Sequence, residues 1–317
     1  MRKILVTGSV GQIGSELTLE LRKRYGNKNV VAGIRKTQPT GELKESGPYE
    51  VVDATKIDKI TDVVKKYNID TIYHLAAMLS AVAEKNPQAG WNVGVNALYN
   101  ILEVAREFNC AVFFPSSIGA FGPTTPMDNT PQDTIQRPNT MYGVTKVTGE
   151  LLCDYYFKRF GVDTRGVRYP GIISNVTLPS GGTTDYSVEI YYEAVKHKKF
   201  TCPLARGTFL DMMYMPDTID AAIDLMEADP SKLKHRNAFN ITAMSFDPEI
   251  LADEIKKHIP DFVMEYDVDP MKQAIAESWP NSMDDSTARE EWGWYPKYDL
   301  AAMTEDMLKV IGEKHAS

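Results

Sequence analysis

Cysteine is scarce in this chain, with three in 317 residues, at Cys110, Cys153 and Cys202. They are odd in number and far apart, with no CxxC pair and no histidine at metal-ligand spacing, which argues against a disulfide framework or a zinc site. All three read as ordinary thiols. Long apolar runs are missing too. No window approaches the roughly 20 apolar residues of a membrane span, and the N-terminal MRKILVTGSVGQIG turns glycine-rich and polar before it reaches signal-peptide length. The expectation is a cytoplasmic protein, in which the acceptor tripeptide Asn175-Val176-Thr177 is accidental. Positive charge is in deficit: 35 Lys and Arg against 43 Asp and Glu leave a net charge of −8 and no basic block. That balance opposes a general role on nucleic acid or anionic membranes.

What is present is enough apolar residue, 43% of the chain, to bury one large or two modest cores. Short β-rich runs alternate with amphipathic ones: KILVTG, a helical pattern over 12–25, NVVAGI, YEVVDAT and a helical pattern over 56–67. The alternation continues through TIYHLAA, a helical pattern over 88–108, AVFFPSS, another over 142–160, and VDTRGVRY. Continuous apolar strands between helices are what a parallel sheet covered on both faces requires. The spacing therefore predicts a doubly wound parallel α/β (Rossmann) domain over residues 1–169. After Tyr169 the rhythm breaks into PGIISNVTLPSGGTTDY, a long irregular segment of the kind that forms binding loops. Residues 170–317 are expected to form mainly a smaller, mixed substrate-binding lobe, with some segments returning to the first domain.

TGSVGQIG sets Gly8, Gly11 and Gly14 directly after the first predicted strand and at the start of the first predicted helix. Gly8 lets the chain turn tightly, Gly11 lets backbone approach a pyrophosphate, and Gly14 lets helix pack on sheet, with the helix N-terminus facing the negative charge. The pattern predicts dinucleotide binding, with Gln12 and Ile13 in the same turn. The second strand lacks the acidic residue that usually meets the adenosine ribose. Gly33 and Ile34 cannot accept those hydrogen bonds, and Arg35 either lies in solvent or faces a 2′-phosphate. NAD is the expected cofactor, with NADP left open. Asp53, beside Ala54, either accepts from adenine or caps the helix that follows.

MYGVTK places Tyr142 and Lys146 four residues apart, on one face of a predicted helix. A phenol with an ordinary pKa of about 10 is a poor base at neutral pH, but a neighbouring ammonium favours the phenolate. Such a pair works as a general base. Upstream, FFPSSIGAFGP ends another predicted strand, where open α/β sheets bind ligands. Ser117 is the candidate to hold the reacting oxygen, and Ser116 is assigned to a turn or cap.

With the glycine turn, the serine and the Tyr-x-x-x-Lys in this order, the chain resembles, over essentially its full length, the extended short-chain dehydrogenase/reductase superfamily. The resemblance implies that Tyr142 is the acid/base, that Lys146 activates it and binds the nicotinamide ribose, and that Ser117 orients the substrate oxygen. PSSIGAFGP, TMYGVTK, RYPGIIS, GGTTDYSVEIYYEAV, MMYMPD and SWPNSMDDSTAREEWGW are similar to the short-chain type of L-threonine 3-dehydrogenase. That likeness implies zinc-independent oxidation of the threonine 3-hydroxyl to 2-amino-3-oxobutyrate, with no metal site. It further implies a pocket for a small zwitterion, with Ser80, Thr183, Thr184 and Trp279 as candidates. Asp185 meets the ammonium or caps the helix after it. Leu75, Ala76 and Ala77 are expected to line the cofactor, and Tyr169, Pro170 and Ile172 to underlie the nicotinamide. His74 reads as a core histidine with a backbone partner, and the Met and Tyr stripe at 212–215 as core.

Where many relatives carry Asn-x-x-Gly-Thr, this chain has Gly94, Ala97 and Leu98, so a polar contact is either missing or supplied by Asn92 or Asn96. Relatives commonly form homodimers through the helices at 88–108 and 142–160. Two other readings compete. A nucleotide-sugar epimerase or dehydratase needs groups for a diphosphate, and residues 174–187 carry no basic residue. A non-catalytic dinucleotide sensor commonly lacks the tyrosine or lysine, and both are here.

Overall fold

The computed structural model describes residues 2–178 and 182–316. In chain order its first strands are β1 Ile4–Thr7, β2 Val30–Ile34, β3 Tyr49–Val51, β4 Thr71–His74, β5 Ala111–Phe113, β6 Ser116–Ser117, β7 Thr164–Arg165, β8 Val167–Tyr169 and β9 Gly171–Ile173. They are followed by β10 Lys199–Cys202, β11 Leu210–Tyr214, β12 Phe239–Asn240, β13 Met244–Phe246 and β14 Val263–Tyr266. The central sheet is parallel, in the order β3-β2-β1-β4-β5-β7. Its order reverses between β1 and β4, the switch point at which such sheets open a crevice at their C-terminal ends.

Period-two alternation sends Ile4 and Val6 to one face and Leu5 to the other, and both faces are buried. Ile4 and Val6 pack with Leu17 and Leu21 of the Gln12–Tyr25 helix. Leu5 packs with Ile60 and Val64 of the Ile57–Tyr67 helix and with Leu98 and Ile101 of the Ala97–Phe108 helix. Each such side chain contributes roughly 1.5–3 kcal/mol by burial, far above any local strand preference.

Past Phe113 and Arg165 the two neighbouring strands bend and continue as β6 and β8. A β-carbon at Gly166 would lie 2.3 Å from the Phe114 carbonyl oxygen, so only glycine permits this approach. β12 pairs with β8, and the Met215–Glu227 helix places Ile219 and Ile223 in the same core as Ile4. The smaller lobe combines a β13-β11-β9 sheet with the parallel pair β10-β14. Its core gathers Tyr186, Tyr191, Met212, Tyr214, Phe246, Trp279 and Met303.

One helix differs from expectation. The 88–108 pattern is broken into Pro87–Trp91, a π-helical turn Asn92–Asn96 and Ala97–Phe108. The wide turn presses Gly94 onto the Met141–Phe160 helix, where a β-carbon would lie 2.8 Å from Thr145 Oγ1. Asn96 donates to Asn92 at 3.0 Å on the exposed side, so of the two alternatives neither asparagine supplies the polar contact.

The three cysteines are free and buried, and burial pushes Cys110 up to about 12 and Cys202 up to about 11. Neither is a thiolate nucleophile at neutral pH. Among the described residues no helix is long and apolar enough to cross a membrane, and no group of three or more His, Cys, Asp or Glu is placed to hold a metal ion.

The chain just before β12 is pinned by Glu291, which accepts from Lys234 N at 2.6 Å, His235 N at 3.1 Å and His235 Nδ1 at 2.6 Å. Partial burial disfavours the charged imidazole, but Glu291 and Asp133 outweigh it and raise His235 above its ordinary value. Its stabilisation is complete below the unfolded pKa of about 6.5 and is lost as pH rises through the higher folded pKa. His235→Asn is thus expected to lower the melting temperature by about 2 °C near pH 6 and by less near pH 9. Thermal unfolding at both pH values checks this, and equal losses would refute it.

Candidate active site

The glycine turn is built as a cradle. Gly8 has φ +75°, and a β-carbon there would meet Ala76 N at 2.8 Å, which brings the turn onto the backbone after β4. A β-carbon at Gly14 would lie 2.2 Å from Gly8 O, so helix and turn touch through backbone alone. Gly11 caps the helix N-terminus without a side chain, leaving that end open to an anion. Gly8 N and Ser9 N donate to Gly33 O at 3.1 and 3.3 Å and tie the turn to β2. This bare, pinned helix end fits a pyrophosphate. Gln12 Nε2 reaches Ile172 O across 160 residues at 3.5 Å, which brings two of the expected cofactor residues together.

Beyond β3, Asp53 accepts from the Thr55 amide at 3.0 Å and hydroxyl at 2.7 Å. Burial opposes its charge, but these bonds and the nearby Arg35 outweigh that and hold its carboxyl below the usual range. Arg35 is exposed but lies within the electrostatic reach of Asp53, and Ala54 is buried beside it.

Ser117, Tyr142 and Lys146 converge at the C-terminal edge of the sheet. Thr140 caps the Met141–Phe160 helix by accepting from Gly143 N at 3.1 Å, which sets Tyr142 in the first turn. One turn on, Lys146 is buried and donates to Pro115 O at 2.6 Å. Its ammonium lies 4.9 Å from the Phe114 ring centre and 5.4 Å from that of Tyr142. Gly119 carries the serine loop onto this helix, since a β-carbon there would lie 3.1 Å from the Tyr142 ring and 3.5 Å from Ser117 Oγ. A β-carbon at Gly143 would lie 2.2 Å from Gly119 O. The two glycines let loop and helix meet backbone to backbone, with the Tyr142 ring and the Ser117 hydroxyl both bordering Gly119.

The turn role expected of Ser116 falls to Ser117 instead. Ser117 closes the turn, accepting from Gly119 N at 3.1 Å, and keeps its proton to donate. Ser116 points the other way and donates to the buried Glu150. The strand pleat sends neighbours to opposite faces, and packing rather than local sequence chooses which face is which. His74 is a core residue as expected, but its partner is the Thr7 hydroxyl, 2.8 Å from Nδ1, rather than backbone. Burial and then the Lys146 charge push it down to about 3, so it is neutral at physiological pH.

Ala76 and Ala77 line a small cavity with Gly94, Tyr142, Thr145 and Lys146. Leu75 N donates to Thr7 O at 3.1 Å beside the glycine turn. Tyr169 is buried, with its hydroxyl on Thr218 O at 2.8 Å, so its side chain belongs to the core and only its main chain continues to Pro170. Thr184 packs its methyl on Gly171, where a β-carbon would lie 2.9 Å away, and Thr183 is buried beside it. Asp185 accepts from Gly182 N at 2.8 Å and closes that turn. Trp279 sits in the smaller lobe's core with Ile118 and Phe121, just past Ser117. Ser80 is buried at the start of the Ser80–Lys85 helix, whose Glu84 accepts from Met141 N. Part of the expected loop at 174–187, residues 179–181, lies outside the described residues. Lys314, distant in sequence, donates to Asn175 O in that loop. Pro115, which anchors the lysine, and the Gly119–Gly143 contact were missed by sequence reasoning. The glycine inside TMYGVTK was the one visible sign.

A parallel sheet of this order, a bare glycine turn and a Ser, Tyr and Lys at the switch-point edge define the extended short-chain dehydrogenase/reductase class. The profile of the NAD dependent epimerase/dehydratase family matches residues 4–242, and the chain belongs to that family. An uncharacterized epimerase/dehydratase of Staphylococcus haemolyticus is 55% identical over 315 residues, 99% of each chain. The structure of an L-threonine dehydrogenase from Clostridium difficile is 59% identical, with a TM-score of 0.98 over 100% of this chain and 99% of that one. A monomeric L-threonine 3-dehydrogenase from a metagenome is 45% identical, with a TM-score of 0.93 over 98% and 99%.

Proposed function

We propose that the protein oxidises the 3-hydroxyl of L-threonine to 2-amino-3-oxobutyrate, with NAD as its preferred dinucleotide. The observation that carries this reading is the convergence of Ser117, Tyr142 and Lys146 beside the glycine turn, in a chain this similar to a threonine dehydrogenase. Gly8, Gly11, Gln12, Ile13 and Gly14 would hold the pyrophosphate, and Ala76, Ala77, Pro170 and Ile172 the nicotinamide end. When bound, the dinucleotide supplies the acceptor for the hydride that leaves C3. Tyr142 takes the hydroxyl proton, so the C3–O bond becomes a carbonyl as the C3–H bond breaks. Lys146, fixed on Pro115 O, keeps its positive charge 5.4 Å from the centre of the Tyr142 ring. Ser117 donates its free proton to the substrate oxygen. Ser80, Thr183 and Thr184 meet the charged ends of the amino acid, and Trp279 closes the pocket.

Absorbance of the reduced dinucleotide, with L-threonine and either NAD or NADP, tests the reading. Threonine-dependent signal with NAD is expected. Silence with both, together with turnover of a nucleotide sugar, would assign the protein to the epimerases or dehydratases instead.

The same reading includes a homodimer. Val144, Leu151 and Tyr155 lie on one stripe of the Met141–Phe160 helix and are 37%, 62% and 54% exposed, with Tyr99 and Trp91 exposed on the segments beside it. An apolar stripe of this kind suits a self-complementary interface. Light scattering is expected to show a dimer that Leu151→Arg with Tyr155→Glu converts to a monomer. A monomeric wild type overturns the assignment.

A further inference from the structure

We propose that Glu150 is a positioning residue that holds Ser117 in register with Tyr142, an inference that rests on the dehydrogenase reading of this site. Glu150 lies two turns beyond Tyr142 on the same helix and is 5% exposed. Each carboxylate oxygen accepts twice. Oε1 receives the Ser116 hydroxyl and Arg168 Nε at 3.1 Å. Oε2 receives Arg168 Nη2 at 2.9 Å and Gln136 Nε2 at 2.8 Å. Arg168 completes the network through Nη1, on Gln132 O at 2.8 Å and Asn240 Oδ1 at 3.0 Å, and its guanidinium lies 5.0 Å from the Phe121 ring centre.

The placement of these partners gives the network its consequence. Ser116 and Ser117 form β6, which pairs in register with Arg168 and Tyr169 of β8. One carboxylate on the tyrosine helix therefore grips the strand that carries Ser117 and the strand that leads into Pro170. A buried ion pair is poor evidence for stability, because desolvating both charges cancels much of their attraction. With both carboxylate oxygens and all three guanidinium nitrogens hydrogen-bonded, the network instead selects one arrangement of the strands against the helix. Ser117 Oγ reaches its place by the Tyr142 ring through this clamp, since the hydroxyl's own hydrogen bond among the described residues is local, from the amide of Gly119 two residues on, and the strand that carries it is held by β8 and Glu150.

A double-mutant cycle tests this. Glu150→Gln is expected to lower kcat by about tenfold while the cofactor KM stays within about twofold, as a small misplacement of a reacting group does. In a Ser117→Ala background the same change is expected to cost less than about twofold, because the group it positions is already gone. Equal losses in both backgrounds, or an unchanged kcat, overturn the proposal. If Glu150→Gln does not fold, Ser116→Ala, which leaves the ion pair whole, is taken through the same cycle with the same criterion. Crystal structures of wild type and variant decide the point without substrate. Displacement of Ser117 Oγ from Tyr142 supports the clamp, and superposition of the two sites overturns it. A wild type without threonine activity would sink the proposed reaction while leaving this structural comparison to judge the clamp.

Discussion

Tyr142→Phe is expected to lower kcat for threonine oxidation by about a thousandfold, within the range attributed to general acid–base catalysis. The corresponding rise in barrier is roughly 4 kcal/mol. Phenylalanine keeps the ring that packs against Gly119 and lies 5.4 Å from the lysine ammonium, so loop and helix should stay in place. Only the phenolic oxygen is removed. Dinucleotide binding, followed by fluorescence, is expected to change little, because the glycine cradle stands on other elements. A loss confined to KM would mean that the phenol binds substrate without moving its proton.

Gly143→Ala is the second large effect. The new β-carbon would lie 2.2 Å from Gly119 O and 2.4 Å from Pro138 Cβ, distances that neither backbone nor a proline ring can relieve without moving. The serine loop must separate from the tyrosine helix. Overpacking of this kind costs roughly 1–3 kcal/mol of stability. Activity should suffer more, because misplacing a reacting group by about 1 Å is worth about a hundredfold in rate. The same substitution at Gly312, in the Leu300–Ala316 helix with nothing within 4 Å of a β-carbon, is expected to leave kcat unchanged and to raise stability by roughly 0.5–1 kcal/mol. Melting curves and kcat measured on both variants separate the steric effect from the helix preference of alanine. Normal turnover in Gly143→Ala would show that the backbone contact does not hold the site.

Together with the Glu150 network, these expectations describe a site held from two sides. Glycine contacts bring the serine loop onto the first turn of the helix, and buried charge ties the strand behind that loop to its third. On the proposed reaction, both would set whether the hydroxyl of Ser117 and the phenol of Tyr142 meet on one oxygen.

Some of this is legible in the chain alone. The glycines of TGSVGQIG follow from local sterics, because a turn with positive φ and a helix packed on backbone exclude side chains at fixed spacings. Tyr142 and Lys146 share a face because helical period alone puts them there. The apolar strands between amphipathic helices determined a parallel sheet, since only burial on both faces tolerates such runs. What tertiary structure alone decided concerns contacts between distant segments: Lys146 on Pro115, Gln12 on Ile172, and Asn92 and Asn96 turned to the surface by the π-helical turn. The division of roles between Ser116 and Ser117 belongs with them, because the pleat of a strand fixes only that its neighbours point apart. Which of them faces the site depends on its register with β8 and on a carboxylate 34 residues away. Local period and sterics act over a few residues and can be read from them, whereas those choices are made by packing between elements.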